Sequence, residues 1–207
     1  MSEKPPIIYI VDDDPAVRDA VAFLVSSLGY AHETCTSAAE ILARLDVERP
    51  ACAVLDVRLP GMSGLELQGE LIRRGSPVGI VFVSGHGDIP KAVRAIRLGA
   101  FDFLEKPFDD QLLLDRIGEA LKASARAIDE RRRKSDLDRR LGRLTERERE
   151  VLVLVVAGKT SKAIALDLDI SVKTVENHRH NLMTKAGAGS IAQLIAWASE
   201  PDGGENG

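Results

Sequence analysis

The first 125 residues alternate short apolar runs with longer stretches of helical period. Ile7–Val11, Ala51–Leu55, Gly79–Val83 and Phe101–Glu105 read as strands, three of them rich in β-branched residues and buried on both faces. The more polar run Ala31–Cys35 reads as an edge strand. Between the first two strands, Val17, Val21, Leu24 and Leu28 fall on one helical face. Asp14 is placed as the N-cap of that helix, Pro15 at its first position and Gly29 just past its end. Further helices fit Ala38–Leu45, Leu65–Arg73, Pro90–Leu98 and Asp110 onward. Five βα units in strict alternation predict an open, doubly wound parallel sheet.

From Ala125 to Arg143 the pattern becomes almost purely charged, including Arg131-Arg132-Arg133-Lys134. Acid-before-base pairs at i,i+4 (Asp129/Arg133, Glu130/Lys134, Asp136/Arg140) support an exposed linker helix. Ile117, Leu121 and Ile128 continue one apolar stripe, whereas Leu137, Leu141 and Leu144 start another. Beyond it the chain is all helix. Thr145-x-x-Glu148 forms a capping box, Thr160 caps a second helix through Leu168, and Ser171 caps a third from Val172 to about Lys185. Only three residues separate the second helix from the third, as in a helix-turn-helix. A short fourth helix fits Ile191–Ala198, and the tail Glu200–Gly207 is expected to be disordered. The chain thus divides into residues 5–124, a linker 125–143, a four-helix domain 144–199 and a tail 200–207.

Charge sharpens this division. Residues 1–124 carry 13 Lys/Arg against 19 Asp/Glu, a net of −6, while residues 125–199 stand at +5. An acidic part joined to a basic one suggests two tasks, the second beside a polyanion. The longest strictly apolar run, Val151–Ala157, is too short to cross a bilayer, which needs ~20 residues. The N-terminus has no apolar signal core, so a cytoplasmic protein without membrane contact is expected. Cys35 and Cys52 fall in strands without metal-ligand spacing and read as buried free thiols.

In open α/β sheets chemistry gathers at the carboxyl ends of the strands. The residues there are Asp12-Asp13 after the first strand, Asp56 after the third, Ser84 after the fourth and Lys106 after the fifth. Clustered carboxylates repel unless a cation neutralises them, and hard oxygens with room for water favour Mg²⁺. One carboxylate can then act as nucleophile toward a phosphoryl donor. The segments IVDDDPAVR, LDVRLPGMSGLEL, VFVSGHGD and FLEKPF resemble the receiver domain of two-component response regulators. That resemblance implies a flavodoxin-like sheet of order 2-1-3-4-5. It implies that Asp56 accepts a phosphoryl group from a sensor histidine kinase, and that Mg²⁺ is held by Asp12, Asp13, Asp56 and the Arg58 backbone carbonyl. It also makes Ser84 and Phe103 a switch pair, with Lys106 beside the phosphoryl group and joined to Pro107 by a cis bond.

Around the third C-terminal helix, Val175, His178 and Leu182 point toward the other helices. Lys173, Asn177, His180, Asn181 and Thr184 point away, flanked by Thr174, Glu176 and Lys185. Such a polar, mildly charged face suits base edges in a major groove: Asn pairs with adenine and Glu accepts from cytosine. Lys162, Lys173 and Lys185 are better placed for phosphates. By periodicity alone this is an ordinary exposed helix face. His178 and His180 point to different sides and do not make a metal site. The segments LTEREREVL and IALDLDISVKTVENHRHNLMTKAG resemble the LuxR/FixJ-type DNA-binding domain, and the two resemblances together place the chain nearest the FixJ subgroup. They imply a transcription factor that, once phosphorylated, dimerises and binds double-stranded promoter DNA. A regulator acting through protein contacts without DNA is the alternative. An aspartate-nucleophile phosphohydrolase would need an efficient base beside Asp56, and the nearby His86 reads as a loop residue, so no enzyme is expected.

Overall fold

The computed structural model describes residues 4–85 and 89–199, with nothing stated for the side chains of Ala196, Ala198 and Ser199. His86 and the tail therefore lie outside the described residues. The first unit carries five strands: β1 (Ile7–Val11), β2 (Ala31–Cys35), β3 (Ala51–Asp56), β4 (Gly79–Ser84) and β5 (Asp102–Glu105). They form one parallel sheet of order β2-β1-β3-β4-β5, as the alternating pattern and the receiver resemblance led us to expect. Between them run α1 (Pro15–Ser27), α2 (Ala38–Arg44), α3 (Gly64–Arg73) and α4 (Ile89–Arg97), and α5 (Asp110–Leu141) follows β5.

The alternation of a pleated strand sends successive side chains to opposite faces. Tyr9, Val11, Leu55 and Phe82 go to one face and meet Ile41 of α2, Leu67 and Leu71 of α3, and Ala95 of α4. Ile8, Ile10, Val54 and Val81 go to the other and meet Val21 and Val25 of α1 and Leu113 and Ile117 of α5. Fully burying one such aliphatic side chain stabilises the fold by about 1.5–3 kcal/mol, so the central strands fix the sheet. Cys35 and Cys52 are buried free thiols in opposite layers, and burial pushes both pKa values up, that of Cys35 to about 11.

Local signals set the helix ends. The Asp14 side chain accepts from Ala16 N ahead of Pro15, and Ser63 and Glu66 close a capping box at α3. Gly64 is needed there, because a Cβ at that position would lie 2.3 Å from the Asp56 carbonyl oxygen.

Compact packing divides the chain at Arg131/Arg132, within α5. Along this helix Ile117, Leu121, Ser124 and Ile128 are buried. The Ser124 hydroxyl accepts from Ala51 N at 3.0 Å, and the Arg131 guanidinium donates to Gly75 O at 2.9 Å. The packing of the first unit thus continues past residue 124, because the charged sequence describes only the solvent side of the helix.

The second unit holds the end of α5 with α6 (Glu146–Val156), α7 (Ser161–Asp167), α8 (Val172–Ala186) and α9 (Ile191–Ser199). Thr145, Thr160 and Ser171 each accept from a backbone N–H three residues on, at the three positions where the sequence places caps. One cluster joins Val151, Val155, Ile164, Ala165 and Val175, and another joins Leu144, Leu182, Ala186 and Leu194. In the turn between α7 and α8, Asp169 has φ 52°, the one non-glycine in the left-handed region among the described residues. No helix among the described residues is long and apolar enough to cross a membrane.

Candidate functional site

Parallel register brings the strand ends to one edge. Val11 pairs with Leu55, Asp56 with Val83 and Ser84 with Glu105. Asp12, Asp56 and Ser84 are therefore neighbours, with exposures of 2%, 6% and 0%. From the segment after β5, Lys106 reaches across them: its Nζ lies 2.6 Å from Asp12 Oδ2 and 2.9 Å from Asp56 Oδ1. The Lys106 N–H donates to Ser84 O at 2.7 Å, and the Lys106–Pro107 bond is cis. Burial by itself would lower the Lys106 pKa. Its hydrogen bonds to Asp12 and Asp56, and their charge, outweigh burial and hold the ammonium above its ordinary value.

Each carboxylate is further positioned by the backbone. Asp14 N donates to Asp12 Oδ1 at 2.9 Å, and Arg58 N donates to Asp56 Oδ2. The Arg18 guanidinium, which the sequence reading did not single out, donates to Asp12 O at 2.7 Å. Asp13 is exposed beside this pair, and its carboxylate makes no hydrogen bond or ion pair among the described residues. The ring of Phe103, on β5, packs against Phe82 with centroids 6.0 Å apart. The structure thus gathers Asp12, Asp56, Ser84 and Lys106, with Arg58 N bonded to Asp56, Asp13 next to Asp12 in the chain, and Phe103 packed on Phe82.

Among the described residues no three His, Cys, Asp or Glu side chains form a metal-holding group by themselves. The chemistry of the donors nonetheless fits Mg²⁺. Asp12 and Asp56 with Lys106 sum to one negative charge, Asp13 adds another within reach of solvent, and every donor is a hard oxygen.

On α8, Val175 and Leu182 are buried, while Lys173, Glu176, Asn177 and His180 are exposed, as is Lys162 on α7. Thr174 is half-buried, with Oγ1 2.7 Å from Ser171 Oγ. Lys185 pairs within the unit: its Nζ lies 2.9 and 2.7 Å from the two carboxylate oxygens of Glu148. Glu148 is 2% exposed, and the Lys185 bond, aided by Thr145, holds its pKa below the ordinary carboxylate value against the opposing effect of burial. In the sequence Glu148 is legible only as half of a capping box, because its partner lies 37 residues away.

The family described as response regulator receiver domain matches residues 8–118, and that of bacterial regulatory proteins, luxR family, matches residues 142–198. The chain is 45% identical to the transcriptional regulatory protein FixJ of Azorhizobium caulinodans, over 96% of this chain and 93% of that one. It is 46% identical to the response regulator protein TodT of Pseudomonas putida, over 94% and 86%. Among solved structures, the response regulator StyR aligns with a TM-score of 0.83 at 40% identity, covering 96% of this chain and all 100% of that one. Full-length FixJ from B. japonicum aligns with a TM-score of 0.56 at 38% identity, covering 95% and 97%.

Proposed function

This chain belongs to the response regulators that join a receiver domain to a LuxR-type DNA-binding domain, and on that premise we propose that Asp56 is its phosphoacceptor. The observation that carries this reading is the pair of buried carboxylates bridged by one ammonium at aligned strand ends. A sensor histidine kinase would supply the phosphoryl group. An Asp56 carboxylate oxygen attacks phosphorus, a P–O bond forms, the P–N bond to the kinase histidine breaks, and the histidine leaves with the electron pair. Asp12, Asp13, Asp56 and the Arg58 carbonyl would hold Mg²⁺, which when bound supplies positive charge to the phosphoryl oxygens. Lys106, already charged and within reach of Asp56, follows the new negative charge, and the Ser84 hydroxyl donates to it. Phe103 turns into the space that Ser84 vacates as it moves toward the phosphoryl group, and the surface of α4 and β5 changes.

That surface suits a second copy of the chain: α4 exposes Ile89, Val93 and Ile96 beside Arg94 and Arg97. The Asp102 carboxylate on β5 lies 2.8 Å from Arg116 Nε of α5. Dimerisation would bring two α8 helices to one promoter. There Asn177, His180, Glu176 and Thr174 would read base edges, and Lys162, Lys173 and Lys185 would hold phosphates. We place the receiver at 5–124, the linker at 125–143, whose first residues as far as Arg131 pack on the receiver, and the DNA-binding domain at 144–199, and take the protein to act in the cytoplasm as a regulator rather than an enzyme.

Incubation with a small phosphodonor and Mg²⁺ tests the reading. Intact mass should show one added phosphoryl group, absent from Asp56→Asn and from protein treated with EDTA. Continued labelling of Asp56→Asn would overturn the assignment.

A further inference from the structure

Helix α4 buries little of its own surface. Of its nine residues only Ala95 is buried, while Ile89, Val93 and Ile96 are exposed. The same residue carries a polar attachment to α3. Ala95 O accepts from Ala100 N at 2.9 Å, which closes the C-terminal turn, and from the side chain of Gln68 on α3, whose Nε2 donates at 2.9 Å. Gln68 is 1% exposed and lies in the sequence beside core residues Leu67 and Leu71. Its Oε1 has no donor among the described protein groups.

A buried amide satisfied at one end is a costly way to fill space, and Met would fill similar room without that cost. Nor does Ala95 O need Gln68, since it keeps the Ala100 N–H. Fold stability therefore does not account for an amide here. Its position does. The start of α3 is fixed against the phosphoacceptor strand, where no Cβ fits between Gly64 and the Asp56 carbonyl. Gln68, one turn along the same helix, ties that rigid element to the one buried residue of α4.

We propose that Gln68 is a positioning residue that holds α4 in its present register, so that any phosphorylation-driven movement of α4 must break the Gln68–Ala95 bond. Gln68 thereby sets how readily the surface of α4 responds. The inference rests on the phosphorylation reading above, but its first measurement needs no phosphoryl group.

The test is hydrogen exchange of the full chain, comparing wild type with Gln68→Met and with Gln68→Asn, whose shorter side chain cannot reach Ala95. In both variants the amides of residues 94–100 should exchange about fivefold faster than in wild type, the factor that one net hydrogen bond confers. The amides of β1 and β3 should keep their wild-type rates. Beryllofluoride with Mg²⁺, which mimics a phosphoryl group without transferring one, should accelerate residues 94–100 of wild type and narrow its difference from the variants, and a small phosphodonor with Mg²⁺ should add one phosphoryl group to all three chains alike. Unchanged exchange over 94–100 in both variants overturns the proposal. So does a uniform acceleration across β1, β3 and α4, which would mark Gln68 as a support of the fold alone. If wild type takes up no phosphoryl group, the phosphorylation reading falls, and exchange in the untreated variants still decides whether Gln68 holds α4.

Discussion

Replacing Lys185 by Met removes the cation from a carboxylate that the second unit has already buried. Glu148 exposes 3% of its side chain and Lys185 36%, so the pair is dry at one end and wet at the other. Breaking a fully buried pair by removing one partner costs about 3–5 kcal/mol, and an exposed pair is worth about 0–1 kcal/mol. Glu148 would retain the Thr145 N–H, which donates to Oε2 at 2.8 Å. Lys185→Met should therefore destabilise the second unit by about 2 kcal/mol, between those limits. Trp197 is the single tryptophan of the chain and packs on the cluster that contains Leu144 and Leu182, so its fluorescence reports this unit. With an m-value of about 1 kcal/mol/M for a unit this small, its urea midpoint should fall by about 2 M at pH 7.

The pH dependence has a definite sign. The pKa of Glu148 is lower folded than unfolded. The stability it contributes is present above the unfolded value of ~4.3 and is lost as pH falls through the folded value. A protonated Glu148 needs no cation, so the deficit of Lys185→Met should shrink below about pH 4.3. Glu148→Gln combined with Lys185→Met should recover much of the loss at pH 7. A midpoint shift under about 0.5 M, or a deficit equal at pH 7 and pH 4, would refute the pairing. DNA binding separates the two roles of this lysine. If Lys185 neutralises a DNA phosphate, its replacement lowers the salt slope by about one; if it serves Glu148 alone, the slope of the folded protein stays unchanged.

Gly64→Ala should destabilise the first unit by about 1–3 kcal/mol in thermal unfolding and slow labelling at Asp56, since the new Cβ must displace the Asp56 carbonyl. Wild-type stability in that variant would mean the close approach relaxes freely. Asp169→Val should lose about 1–2 kcal/mol by Trp197-monitored unfolding, because a β-branched residue tolerates φ 52° poorly, while Asp169→Gly should lose nothing. Asn177→Ala and His180→Ala should each cost roughly 1–3 kcal/mol on cognate DNA in titrations while leaving random-sequence binding intact. Lys162→Ala and Lys173→Ala should weaken both alike and lower the salt slope by about one, and equal effects from all four substitutions would erase the division into base-reading and phosphate-holding residues.

The sequence alone determined the elements and their order. Asp14-Pro15 and Thr145-x-x-Glu148 start helices in the structure as they do on paper, because capping joins atoms only a few residues apart. The doubly wound sheet was legible from its alternation of buried strands and helices, and with it the edge where Asp12, Asp56, Ser84 and Lys106 gather. The tertiary structure decided which atoms meet. It gave Lys106 both Asp12, 94 positions away, and Asp56, 50 away; it paired Lys185 with Glu148; and it set Gln68 under Ala95. It also carried the first unit along α5 to Arg131, on a buried face whose outer side is a run of charge. Periodicity states which face of an element is buried and is silent on its neighbour. The neighbour follows from strand register and helix packing, each the sum of many weak interactions between residues far apart in the chain.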